Sequence, residues 1–236
     1  VEVLRQFKGF SYFTEMSDII NRLEDHVASA RMKTTPVIDF EKNESLKGLD
    51  YLDTIYHAIV NEHPIQLKYR SFKARSANSF IFYPYLLKEY RNRWFVYGVR
   101  GNGRILQNLA LDRIQSLEVL PQEHYIKNTF FDPNTFFDDL VGVTKNTGSV
   151  AEKVGFKVAA AEAPYIITKP IHRSQQVMER LADGSVILEI EVVINHELER
   201  VFFGYAEGIQ VLYPKTLVEL MGRKLKKAAE QYTHSK

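Results

Sequence analysis

The chain has 236 residues, 45% of them hydrophobic and 25% charged, a composition that excludes disorder as the main state and leaves room for one large or two modest domains. It contains no Cys, which excludes a disulfide scaffold, a thiolate metal site and a cysteine nucleophile, and it has no apolar run of the roughly 18 residues that a membrane span needs. The net charge of +2 is unevenly spread: residues 1–64 carry −4, residues 65–113 carry +8 and residues 114–236 carry −2, and the middle stretch also holds about a third of the aromatics. A cationic, aromatic-rich stretch between mildly acidic flanks points to an anionic partner. The plainer reading is that Lys and Arg protect strand exteriors and edges.

In chain order, Ser17 is placed to cap a helix reaching Met32, with Ile20, Leu23 and Val27 on its apolar stripe. Residues 33–47 read as a polar linker. A second helix is expected over Leu49–Asn61, with Leu49, Leu52, Ile55, Tyr56 and Ile59 on one face and Pro64 as its stop. Both helices are too thin for a core of their own and must pack on the strands beyond Pro64 or on a second subunit. Strands come next. Ile65, Leu67 and Tyr69 alternate with Gln66, Lys68 and Arg70, and further strands are expected over 80–87, 94–99, 104–109 and 114–120. Arg91-Asn92 and Gly101-Asn102-Gly103 supply the turns. Five short strands in so few residues suggest a small barrel or curled sheet.

Asp132-Pro133 is placed to start a short helix through Leu140, and Asn146-Thr147-Gly148-Ser149 reads as a linker. The last 85 or so residues read as β-α-β-β-α-β-α, a ferredoxin-like split arrangement with one added helix. Its strands run near 154–158, 175–181, 186–194 and 209–212. Asn195 caps a helix bearing Leu198, Val201, Phe202 and Tyr205, and Pro214 opens a last helix carrying Leu217, Leu220 and Leu225. The expected organisation is a helical lead-in over 1–61, a barrel over 62–125, a linker over 126–152 and an α/β unit over 153–236.

Enzyme readings are poor. The seven His are scattered without metal-ligand spacing, so no metal or other cofactor is expected. Gly101-Asn102-Gly103 lacks the strand–glycine–helix context of a phosphate loop. His172 and Ser174 have no evident acid partner and suit a structural hydrogen bond. Arg223, Lys224, Lys226 and Lys227 on the last helix read as a solvated face.

Several motifs in order resemble the WYL-domain family of bacterial transcriptional regulators: Ile65-Gln66-Leu67-Lys68-Tyr69, Tyr83-Pro84-Tyr85, Trp94-Phe95-Val96 and Leu111-Asp112-Arg113-Ile114. His172, Ser174 and Gln175, followed by Val211-Leu212-Tyr213-Pro214-Lys215-Thr216-Leu217, resemble the C-terminal extension often found after such a domain. The sequence departs from the family pattern at Gln107, where Arg is frequent, and at Phe95, which replaces the Tyr of the naming motif. The resemblance implies an α+β protein: a small Sm-like β-barrel followed by a ferredoxin-like domain. It further implies a cytoplasmic, homodimeric regulatory portion that senses a nucleotide-like or single-stranded nucleic-acid effector. A winged helix-turn-helix that binds duplex DNA would precede it, in keeping with a first residue of Val1 rather than Met. The alternative is a dimerisation or protein-interaction scaffold with no small ligand.

Guanidinium groups bind phosphate in planar, bidentate fashion and aromatic faces stack bases. The expected ligand-binding residues are therefore Lys68, Tyr69, Arg70, Tyr83, Arg93, Trp94 and Arg113, with Tyr85 a further candidate stacker. Trp94 suits a barrel core equally well. Tyr69 shares parity with Ile65 and Leu67, which would bury its ring and leave only the hydroxyl. Arg113 either meets the ligand or pairs with Asp112.

Overall fold

The structure is a computed structural model that describes residues 47–233 apart from 102 and 104. The helix expected over 17–32, most of the 33–47 linker, and Asn102 and Arg104 lie outside the described residues. The protein is mixed α/β with two antiparallel sheets, and it divides into two compact units between Phe131 and Asp132. Residues 126–131 go with the first unit and residues 132–152 with the second.

In the first unit a 3-10 turn (Leu49–Tyr51) runs into helix α1 (Leu52–Val60), whose Leu52, Ile55 and Ala58 are buried along one face. That stripe packs on the sheet. The helix ends as the His63 amide donates to the Ala58 carbonyl at 2.8 Å, one residue before Pro64 turns the chain into a strand. Strands β1 (Ile65–Tyr69), β2 (Asn78–Tyr90), β3 (Arg93–Arg100), β4 (Leu106–Ala110) and β5 (Ile114–Val119) form one sheet in the order β4-β3-β2-β1-β5. Strand β2 is longer than the expected 80–87 because it serves two partners in succession. Its first part, to Phe82, pairs with β1, and from Phe82 to Tyr90 it pairs with β3. Pro84 is tolerated there because it lies past the end of the β1 pairing, where no ladder amide is required, and the β2–β3 register shifts just after it. Arg91 and Asn92 make the β2–β3 turn with φ of 50° and 59°, the left-handed pair that matches strand twist in a two-residue hairpin.

The sheet is open. Strands β4 and β5 are its edges, so the ladder that would close the expected barrel is absent among the described residues. Both faces are nevertheless covered. Leu67, Phe82, Val96, Leu109 and Leu111 face α1 in one cluster. On the other face Tyr83, Tyr85 and Val99 meet Tyr125, Ile126, Phe130 and Phe131 from the segment after β5. The Tyr125 hydroxyl donates to the Pro84 carbonyl, fastening that segment down.

The second unit contains β6 (Glu152–Val158), α2 (Ala163–Thr168), β7 (Gln176–Arg180), β8 (Val186–Val192), α3 (His196–Gly204), β9 (Ile209–Tyr213) and α4 (Lys215–Thr233). Its sheet runs β7-β8-β6-β9, antiparallel throughout. Alternate residues of β6 and β8 (Val154, Phe156, Val158; Val186, Leu188, Ile190) meet Leu198 and Phe202 of α3 in the core. The Asn195 side chain caps α3 by accepting from the Leu198 amide at 2.9 Å, and its Nδ2 donates to the carbonyls of Val141 at 3.0 Å and Thr144 at 2.9 Å. One residue thus starts a helix and holds the chain that leads into the unit.

Two expectations fail locally. Residues 133–139 form successive turns, not the helix expected from Asp132 through Leu140. The Asp132 side chain accepts from the Asn134 amide at 2.9 Å, as an N-cap does, but the bonds that follow, from the Asp138 amide to Thr135 and from the Leu140 amide to Phe137, each close a three-residue turn and do not carry an α-helix on. On α4 only Leu217 and Met221 are buried, and Leu225 is 42% exposed, because the helix outruns the sheet beneath it. Among the described residues no helix is long and apolar enough to cross a membrane. Phe156 is fully buried and its ring centroid lies 5.2 Å from that of Phe202. Phe156→Ala is therefore expected to cost about 3–5 kcal/mol, measured as a lower urea midpoint by circular dichroism.

Candidate anion-binding cleft

The site is built by a one-residue irregularity. Strands β1 and β5 pair Leu67 with Leu117 and Lys68 with Ser116, and then Tyr69 with Ile114. Gln115 is thereby left as the extra residue of a bulge, a device that bends a strand end and re-aims its side chains. The 3-10 turn Leu111–Arg113 delivers the chain into β5, and buried Leu111 anchors it. Gly48, at φ +86°, lies so close to the Leu111 carbonyl that a Cβ there would come within 2.5 Å. Past the end of β1 the Arg70 amide donates to the Arg113 carbonyl at 3.2 Å. That bond sets Arg70 beside Arg113. Around it opens a cleft of about 310 Å³ lined by Arg70, Ser71, Phe72, Asp112, Arg113, Ile114 and Gln115.

The charges of the cleft are partly compensated. The Asp112 carboxylate stands between two guanidiniums, with Oδ2 3.3 Å from Arg93 Nε and Oδ1 3.8 Å from Arg113 Nε. The second separation is too long for a hydrogen bond, and both of those buried atoms have no hydrogen-bond partner among the described residues. Arg113 Cζ sits 4.5 Å from the centre of the Phe72 ring, a cation–π distance. Arg70 forms no ion pair among the described residues; its Nε reaches only the Ala74 carbonyl, at 3.5 Å.

Of the residues expected to bind ligand, Arg70 and Arg113 line the cleft. Tyr69 adjoins it from the core side: burial pushes its phenol above the usual value, against the Arg113 guanidinium and the Ala110 backbone, which pull it down. Arg93 is held by Asp112 and does not line the cleft. Lys68 is exposed on β1 between Ser79 and Ser116, also outside the lining. Trp94, 9% exposed, lies in the α1-facing core. Tyr83 and Tyr85 lie on the opposite face of the sheet, among apolar rings. Burial there, with Tyr83 adding to it, pushes the Tyr85 phenol up to about 12. Phe72, Ser71 and Gln115 were not singled out from sequence. The signal for Phe72 was an aromatic set among Arg70, Lys73 and Arg75 in a stretch with no strand alternation.

Elsewhere, His172 Nδ1 and Ser174 Oγ lie 2.7 Å apart, and Ser174 Oγ accepts from the Glu191 amide at 2.8 Å, so the pair fastens the edge of β8. Among the described residues no group of three or more His, Asp and Glu is arranged to hold a metal ion.

Two family models match the chain, a WYL domain over residues 50–119 and a WCX domain over residues 151–229. No curated protein matches. Among solved structures the chain is similar to proteasome accessory factor B/C (PafBC) of Arthrobacter aurescens, at 16% identity and a TM-score of 0.32 over 81% of this chain. It is also similar to a CRISPR Cas-related protein, at 12% identity and a TM-score of 0.46 over 79% of this chain. The chain spans 28% and 52% of those two proteins.

The position of Arg113 carries an electrostatic consequence. Its positive charge lowers the Tyr69 phenol, so Arg113→Ala is expected to move the Tyr69 titration to higher pH. Ultraviolet difference titration of the wild type, the variant and Tyr69→Phe reads that shift.

Proposed function

Because the chain belongs to the WYL-domain family and carries a WCX domain behind it, whose members are regulatory and sense ligands or nucleic acid, we propose that it is the effector-sensing portion of a bacterial DNA-binding transcriptional regulator. The effector is a nucleotide-like or single-stranded nucleic-acid ligand, held in the cleft at the β1–β5 bulge. One observation carries this reading: two guanidiniums, Arg70 and Arg113, line a concave site that also holds an exposed aromatic ring, and Arg70 has no counter-ion among the described residues. Planar donors for phosphate and a face for a base are the two requirements of such a ligand.

Supporting the finer fold reading, the strand order β4-β3-β2-β1-β5 brings the first and last strands together, as an Sm-like barrel requires, with the 3-10 turn before β5. The order β7-β8-β6-β9 with helices after β6 and β8 is that of a split βαβ, ferredoxin-like unit. The role is regulatory, not catalytic. A helix-turn-helix supplied by a longer chain binds duplex DNA, and the regulator works as a homodimer. The effector acts by preferring one arrangement of the regulator over another.

Arg70→Ala is expected to weaken binding of short single-stranded DNA by about 1.5–3 kcal/mol, the value of a charge-assisted contact. It should also lower the salt slope by about 0.7. Asp112→Asn, which removes the carboxylate competing for Arg113 and Arg93, should strengthen binding. Fluorescence anisotropy at two salt concentrations measures both. Unchanged affinity in Arg70→Ala would remove the cleft as the site.

A further inference from the structure

The aromatic residues that the sequence offered as base-stacking partners are engaged elsewhere: Trp94 and Tyr69 in one core, Tyr83 and Tyr85 in the other. One ring in the cleft is not. Phe72, in the connection between β1 and β2, is 73% exposed, in a loop that otherwise carries Arg70, Lys73 and Arg75. Its ring is not loose, because the Arg113 guanidinium rests over it at 4.5 Å from the centroid. That contact covers one face and leaves the other to solvent. Pre-positioning a ring in this way reduces the ordering cost of any ligand that lands on it.

We infer that Phe72 is the base-stacking residue of the cleft, so that the site selects nucleotides bearing a base over phosphate or sugar-phosphate alone. The inference rests on the proposed anion-binding role of the cleft. In the bound state the base lies on the open face of Phe72, sandwiching the ring against Arg113, and the adjoining phosphate meets Arg70. Stacking needs only a π-face, so this contact demands a base without choosing which one. A cleft of about 310 Å³ lies at the small end of ligand sites, which fits one stacked nucleotide at a time.

The test uses the full chain and two probes of equal length and charge: a fluorescent single-stranded DNA oligomer and the same oligomer built from abasic sugar-phosphate units. The wild type is expected to bind the base-bearing strand more tightly. Phe72→Ala should weaken that strand by about fivefold to a hundredfold, the loss of one stacked base, and weaken the abasic strand by distinctly less. Phe72→Trp should restore the preference. Equal wild-type affinity for the two strands, an equal loss of both in Phe72→Ala, or no loss of either would overturn the stacking role while leaving the anion site standing. If the wild type binds neither strand at low salt, the anion-binding reading fails, and the stacking role fails with it. Circular dichroism of Phe72→Ala guards against a folding defect, which the exposure of the ring argues against.

Discussion

The pairing of β1 with β5 is the constraint on which the first unit depends. It returns the last strand to the side of the first strand of the β1–β4 meander, gives Leu67 and Ile114 a common core, and sets the ends of both strands side by side. The single surplus residue, Gln115, turns this pairing from a structural seam into a site. With a regular register the ladder would run on unchanged. With the bulge, the chain beyond β1 opens away, and Arg70, Phe72 and Arg113 gather around the gap. An ordinary sheet thereby acquires a concavity with no helix or second subunit needed to form it.

The charge of the central segment exceeds the charge it offers. Of its ten basic residues, Arg93 is held by Asp112, Arg91 lies 5.4 Å from the centre of the Tyr90 ring, and Arg100 lies 4.1 Å from the centre of Phe80. These guanidiniums lie over rings or beside a carboxylate, where they pack as much as they attract. A net charge of +8 for that segment therefore overstates how many of its cations are placed to touch a ligand. Of the two guanidiniums that line the cleft, Arg70 is the one with no ion pair among the described residues.

The legible parts of the fold were those governed by local chemistry. The alternation of Ile65, Leu67 and Tyr69, the left-handed pair Arg91-Asn92 and the cap Asn195 each state their structure within a few residues, and each adopts it. What escaped was set by partners distant in sequence. The bulge at Gln115 is a relation between β1 and β5 and leaves no periodicity in either. Residues 120–131 have no regular pattern because their rings pack on a sheet face and not along a helix or strand. For the same reason parity placed Lys68 and Arg70 together, whereas the end of β1 separates them: Lys68 remains on the ladder and Arg70 turns toward Arg113.

The matched WYL pattern stops at residue 119, yet the apolar covering of that sheet continues to Phe131. Tyr125 grips the Pro84 carbonyl, and Phe130 stacks near Tyr85 with centroids 6.1 Å apart. The stretch that similarity recognises and the stretch that folds as a body are thus not the same length. Severed at its recognisable margin, this module would bare a belt of tyrosines and valine to water, a surface that invites aggregation. The dozen unpatterned residues after that margin belong to its architecture as fully as any strand.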